Sequence, residues 1–563
     1  MRLARFATIA AACASVAGGC DVDASAGGDA PPVPTTLVMS GGRVWVGADA
    51  VSDPADWPTA VAVSGDRIVA VGTDREVLRI ADDDARRIDL RGRLVVPGFH
   101  DAHAHFIDGG HELDAVRLRD AATPEAFIER IAERARAGGS SWITGGQWDH
   151  EAWGGELPHR SWIDSVTPET PVFVQRLDQH MGLANTLALE LAGVTPSTPD
   201  PAGGTIVRDP AGGPTGVLKD EAMSLVWGVV PEPDQYADDR ALAAAARHAL
   251  ENGVTSVTHM GTWKDLQTFR RAHSRGDLPV RVYAAVQIAD WRRLVTLVAH
   301  DGRGDDLLRW GAVKAFVDGS LGSGTAWFHE PYDDEPENRG LMVSDTARLR
   351  ADLAGADAAG LHLMVHAIGD AANDWLLAAF AEAEEANGPR DRRFRVEHAQ
   401  HLTPEAVRRM AEQRVIASMQ PYHAIDDGRW AERRIGRERI RTTYAFRDLL
   451  DAGASLAFGS DWTVAPISPL EGIYAAVTRR TLDGAHPDGW VPEQRISVVE
   501  ALVPYTEDGA YASFAGDDLG RIEAGLLADL VMLSTDIFTS DPADIGRATV
   551  DVTVVGGEVR FER

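Results

Sequence analysis

Cysteine is nearly absent from this 563-residue chain: there are two, Cys13 and Cys20, both within the first twenty residues. Everything after residue 20 therefore folds without a disulfide. Any metal held there is held by nitrogen and oxygen, not thiolate. Long apolar runs are lacking too, and nothing past the N-terminus approaches the roughly 18 residues of a membrane-spanning helix. Basic charge is scarce: 55 Lys and Arg stand against 85 Asp and Glu, a formal net charge of −30. Such a field repels nucleic acid and anionic lipid, so no nucleic-acid partner is expected. What remains, 44% hydrophobic and 25% charged residues, is an ordinary globular composition in a chain too long for one compact core.

Arg2 and Arg5 precede a short apolar stretch, "FATIAAACASVA", at residues 6–17. Residues 1–20 thus read as a signal peptide. The "AGGC" that follows is similar to a bacterial lipobox with Cys20 as the lipidated residue, although Ala17 stands where that pattern prefers Leu. Release as a soluble periplasmic or extracellular protein is the alternative. The expectation is an exported protein that meets a membrane only through an anchor at Cys20. Residues 21–34, rich in Gly, Asp, Ala and Pro, read as a flexible tether.

Residues 35–95 alternate short β-like runs with glycine-bearing turns, and residues 511–563 do the same. One small β domain built from both chain ends accounts for this, since termini often lie close together. Between them, residues 96–510 repeat an apolar strand followed by a helical pattern. The spacing predicts eight strands: Leu94–His103, Thr255–Met260, Val280–Val286, Gly311–Val317, Leu361–His366, Phe394–His398, Val415–Met419 and Ser455–Gly459. Thr123-Pro124 and Thr403-Pro404 are helix starts, and Ser497 with Glu500 forms a capping box. Eight parallel strands alternating with helices make an α/β fold of the (β/α)8 TIM-barrel type. The interval of about 107–250 is too long for one crossover and must be an insertion with its own structure, including the strand-like "PVFVQRL".

Polar residues gather at the ends of these strands. His103 and His105, two apart in "PGFHDAHAHF", face one side at the C-terminal end of the first strand, where barrel active sites sit. Lys314 lies among apolar residues in the fourth, and buried lysine is unusual unless paired or modified. His366 ends the fifth strand, His398 the sixth, and Asp461 follows the eighth. Each alone has an ordinary explanation; five strands of one barrel aiming a ligand atom at one mouth do not.

That set resembles the amidohydrolase superfamily, and "WITGGQWD", "DQHMGLANTLAL", "VKAFVDGSLGS", "HAIGD", "VEHAQ", "MQPYH" and "FGSDW" are similar, in order, to motifs of its YtcJ-like branch, which includes N-substituted formamide deformylases. The resemblance implies a composite β-sandwich domain from both termini and a site for two divalent metal ions, usually zinc. His103, His105 and Asp461 would hold one metal and His366 and His398 the other, with Lys314 bridging them as a carbamate. Asp461 would be the catalytic proton carrier. Asp178, His180, Trp148, Gln420 and His423 are expected at the substrate, a small-molecule amide such as an N-formyl or N-acyl amine. Thr463 departs from the branch, where proline is common, which bears on loop rigidity more than on ligation. A deaminase or cyclic-amide hydrolase is the second enzymatic reading, disfavoured by Lys314. A lipid-anchored binding protein without chemistry is the third. Oligomeric state stays open, a homodimer included.

Overall fold

The computed structural model describes residues 34–48, 53–138 and 141–563. The expected signal peptide, Cys20 and residues 21–33 of the expected tether lie outside the described residues. At the centre is a nearly closed barrel of eight parallel strands: β1 (Phe99–Ala104), β2 (Val254–Met260), β3 (Arg281–Gln287), β4 (Leu308–Phe316), β5 (His362–Ala367), β6 (Arg395–His398), β7 (Ile416–Met419) and β8 (Leu456–Phe458). They pair strictly in chain order. The strands are buried on both faces, which is why they read as apolar runs without alternation. Between β8 and β1 the barrel closes through loop backbone: Asp461 N donates to His103 O at 2.7 Å and His105 N to Trp462 O at 2.6 Å.

Helix starts follow from capping chemistry. Thr123 and Thr403 accept backbone N–H groups at the heads of Pro124–Ala137 and Pro404–Gln413, and Ser497 and Glu500 cap each other's backbone.

The first predicted strand is a correction. Residues 94–103 form not one strand but two, Leu94–Pro97 and β1, divided at Gly98. Gly98 N donates to Asp529 O at 2.8 Å, and a Cβ there would lie 2.3 Å from Thr255 Oγ1. The chain thus leaves one sheet and enters another at a point where only glycine fits. Leu94–Pro97 pairs with Leu530–Leu533 in a five-stranded sheet, stacked on a four-stranded sheet that contains Leu37–Ser40 and Ala60–Ser64. Val95 faces this sandwich while Leu94 and Val96 face the barrel side, as a period of two requires.

The segment between β1 and β2 carries a six-stranded sheet of its own, with "PVFVQRL" supplying Phe173–Arg176. Two separate apolar clusters support it, one around Phe127 and Trp148, the other around Phe173 and Leu218.

Candidate active site

The ends of β1, β4, β5 and β6 and the loops after β7 and β8 converge on Asp461. Asp461 Oδ1 lies 3.4 Å from His103 Nε2 and 3.3 Å from His105 Nε2; Oδ2 lies 3.9 Å from His398 Nδ1 and 4.0 Å from His423 Nε2. Two donor groups result, His103–His105–Asp461 and His398–His423–Asp461, each with its ligand atoms within 4.8 Å of one another. Lys314 Nζ is 3.3 Å from His103 Nε2. His398, Ala399 and Asp461 adopt left-handed backbone conformations, with φ of 75°, 44° and 58°. Such strain at non-glycine residues persists only where the surroundings enforce it, and it concentrates at functional sites.

Several residues that sequence reasoning passed over orient these ligands. His103 Nδ1 donates to Glu397 Oε2 at 2.6 Å, which leaves Nε2 as the lone-pair nitrogen. Glu397 is gripped by Arg395 at 2.8 and 3.0 Å, and Arg395 also reaches Ser418 Oγ at 2.8 Å. Burial pushes the Glu397 carboxyl up, but Arg395 and His103 outweigh it and hold the group well below the carboxylate range. His398 Nδ1 donates to Gln420 Oε1 at 2.8 Å, freeing its Nε2. Asp101 accepts from His103 N and Ser460 N, at 3.1 and 3.0 Å, and so ties β1 to the loop carrying Asp461.

The donor set fits divalent metal. Asp461 Oδ1 and His423 Nε2 are buried polar atoms without a hydrogen-bond partner, a costly state unless something else binds them. Burial, aided by Lys314, lowers His103 to about 4, and burial holds His398 far below its usual value. Both are therefore neutral, as imidazole ligands must be. Burial raises Asp461, but His103, His105 and His398 outweigh it and keep the carboxylate ionised. Burial lowers Lys314 to about 8.

A cavity of about 170 Å³ opens over this cluster. His105, Lys314, His366, His398, His423 and Asp461 form its floor, while Leu177, Asp178, Gln179 and His180 from the insertion form one wall. Phe316, Leu321, Ile368, Trp430 and Val464 make much of the remainder apolar. Asp178 is fixed by Arg176 at 2.7 Å and Ser320 at 2.5 Å, and His180 by Asp220 at 2.6 Å. Gln179 Nε2 donates to Thr463 Oγ1, a bond proline in that place would not accept.

Two residues expected at the substrate lie elsewhere. Trp148 does not reach the cavity: its ring is fully buried in the insertion's core, with Nε1 donating to Val174 O at 2.9 Å. Gln420 is also fully buried and serves His398 instead of facing the cavity. His366 and His423 both line the cavity floor. His423 belongs to a compact donor group, whereas His366 packs on His398 with ring centroids 4.5 Å apart and turns Nε2 to Gly319 O at 3.0 Å. The nitrogen that His366 leaves uncommitted is Nδ1.

Comparison with known proteins identifies the family. The chain is 41% identical to Protein LONG AFTER FAR-RED 3 of Arabidopsis thaliana, over 89% of this chain and 88% of that one. It is 31% identical to putative amidohydrolase YtcJ of Bacillus subtilis, over 91% and 97%. It is 32% identical to the N-substituted formamide deformylase of Arthrobacter pascens, over 90% and 95%. Among solved structures, an uncharacterized metal-dependent hydrolase from Pyrococcus horikoshii superimposes with a TM-score of 0.73 at 28% identity, covering 90% of this chain and 99% of that one. The amidohydrolase family profile matches residues 86–561, a span that holds the barrel, the donor cluster and the C-terminal strands of the sandwich, and the chain belongs to the amidohydrolase family of metal-dependent hydrolases.

Proposed function

We propose that this protein hydrolyses the C–N bond of a small, non-peptide amide, with an N-formyl or N-acyl amine as the substrate class. The observation that carries the proposal is Asp461: ionised, buried, with an oxygen lacking a partner, and facing four histidines within 4 Å. A deformylase among the relatives that match nearly full length supports the bond type.

In this reading His103, His105 and Asp461 hold one divalent ion, zinc being the natural choice for a nitrogen-and-oxygen set, and His398 and His423 hold a second. His366 offers Nδ1 to the second from its place beside His398. Divalent ions held there would supply Lewis acidity toward a water and the scissile carbonyl. Lys314, as a carbamate formed when its free amine adds to CO2 and loses a proton, would add oxygen ligands to this set; burial enlarges the free-amine fraction at neutral pH. Asp461 accepts the proton of the attacking water and returns it to the departing nitrogen. His180, oriented by Asp220 and raised by it despite burial, stands over the floor as a donor toward the substrate oxygen. The apolar wall of Phe316, Leu321 and Trp430 suits an amine or acyl group with a compact hydrophobic body. The proposal includes export, with Cys20 as an acylation site, and no helix among the described residues is long and apolar enough to cross a membrane.

The test combines elemental analysis with turnover of an N-formyl and N-acyl amine panel. About two transition-metal ions per chain are expected, with turnover lost on chelation. Asp461→Asn should fold and lower kcat by about a hundredfold or more. No metal after incubation with zinc and bicarbonate, or an active Asp461→Asn, would refute the reading.

A further inference from the structure

The opposite end of the barrel holds a second cavity, of about 280 Å³, lined by Arg303, Arg309, Arg390 and Arg392 with Tyr283, Trp310, His362 and Phe514. It surrounds the N-terminal ends of β4 and β5. Arg309 precedes Lys314 by five residues on β4, about 16 Å along the strand, so this cavity is separate from the metal site.

One carboxylate, Asp391, also lines the cavity but pairs with Arg393 at 2.8 Å, so the four cations here are poorly compensated. Among the described residues, Arg303 and Arg309 have no carboxylate partner: Arg303 donates to Gly360 O at 2.7 Å and Arg309 to Phe514 O at 2.7 Å. Arg390 and Arg392 share one buried carboxylate, Asp357. Arg392, 8% exposed, still keeps Nη1 buried without a partner. A guanidinium has five N–H donors, so most of those on Arg309 are uncommitted. Stitching loops together would not need a cavity, nor four guanidinium groups in one place in a chain of net charge −30. The walls are flat. Tyr283 and His362 stack at 5.9 Å and 17°, and Phe514 meets His362 edge-on at 5.1 Å.

We propose that this cavity is a binding site for a small organic anion carrying an aromatic ring. Arg309 and Arg392 clamp the acid group, and the ring lies against the wall that Tyr283, His362 and Phe514 form. Arginine forks suit carboxylate and phosphate-like oxygens, and aromatic walls confer preference for a flat substituent. The site is independent of whichever amide is hydrolysed at the other end.

Isothermal titration of the full-length protein with phenylphosphonate tests this, with methylphosphonate as the ringless comparison. One phenylphosphonate site per chain is expected, with weaker methylphosphonate binding. Arg309→Gln and Arg392→Gln should each weaken phenylphosphonate by about tenfold, whereas His105→Ala, at the metal site, should leave affinity unchanged. Loss of Arg392 also unpairs buried Asp357 and so burdens folding; Arg309 makes no such pair, so Arg309→Gln decides alone. Absence of binding at millimolar ligand, equal binding of the two phosphonates, an unaffected Arg309→Gln, or loss in His105→Ala would each overturn the proposal.

Discussion

At the scale of single residues, the ligand set depends on side chains that never touch substrate. Glu397 shows this most directly: it is fully buried between Arg395 and His103. Replacing it with Gln leaves Arg395 without its counter-charge, which should cost about 3–5 kcal/mol. The pH dependence has a definite sign. Because the folded state holds Glu397 below its unfolded value, its stabilisation is complete above about pH 4.3 and is lost as pH falls toward the folded pKa. Denaturant midpoints of wild type and Glu397→Gln should therefore differ most at pH 7 and converge on acidification; a constant gap would contradict the assignment. In the sequence, His103, His105, His398 and Asp461 were legible because each is a metal-binding side chain at a strand end. Glu397 was not, since neighbours on a strand normally face opposite ways. The left-handed turn at His398 cancels that alternation and brings both residues to the same cluster. A same-face Arg395-x-Glu397 pair inside an apolar strand was the available signal. Which of His366 and His423 enters the donor group depends on ring orientation, and no spacing rule encodes that.

At the scale of elements, the eight strands were readable to within a few residues, because buried parallel strands are apolar runs bounded by turns. The exception, 94–103, was continuous in pattern but belongs to two sheets; the break lies in Gly98, whose close approach to Thr255 is a tertiary fact. A comparable constraint governs the seam between β8 and β1. A Cβ on Gly459 would fall 2.4 Å from His103 N and 2.8 Å from Asp101 Oδ1. Gly459→Ala must push the loop carrying Asp461 away from β1. Activity should fall by about tenfold or more, since misplacement by an ångström is expensive in an oriented site. Metal retention measured after gel filtration should drop in parallel. An Ala variant with full metal content and full kcat would show that the seam tolerates displacement. The insertion was legible as an anomaly of length, but not its sheet order, nor that Trp148 is core to it.

At the scale of the whole molecule, sandwich and barrel are joined by polar as well as apolar contacts. Asp529, beside the C-terminal strand Leu530–Leu533, receives Arg281 of β3 through two bonds of 2.9 Å and also Gly556 N at 2.8 Å. The pair is almost fully buried. Asp529→Ala leaves Arg281 uncompensated and should destabilise the fold by about 3–5 kcal/mol, while kcat of the folded fraction stays near wild type because the metal cluster lies at the other end of β3. Thermal unfolding together with kcat per active site checks this; a large fall in kcat without loss of stability would mean that the sandwich reaches the chemistry. That both chain ends build one domain was visible in their shared strand-and-turn pattern. The pairing that joins them, Leu94–Pro97 with Leu530–Leu533, was not, since the partners are more than 400 residues apart.

The wall that overhangs the mouth, Leu177 to His180, arrives on one uninterrupted length of chain with its own sheet and its own apolar clusters. That part of the rim is a separate module from the barrel floor beneath it, so changes confined to the module can reshape the overhang without moving the strand ends.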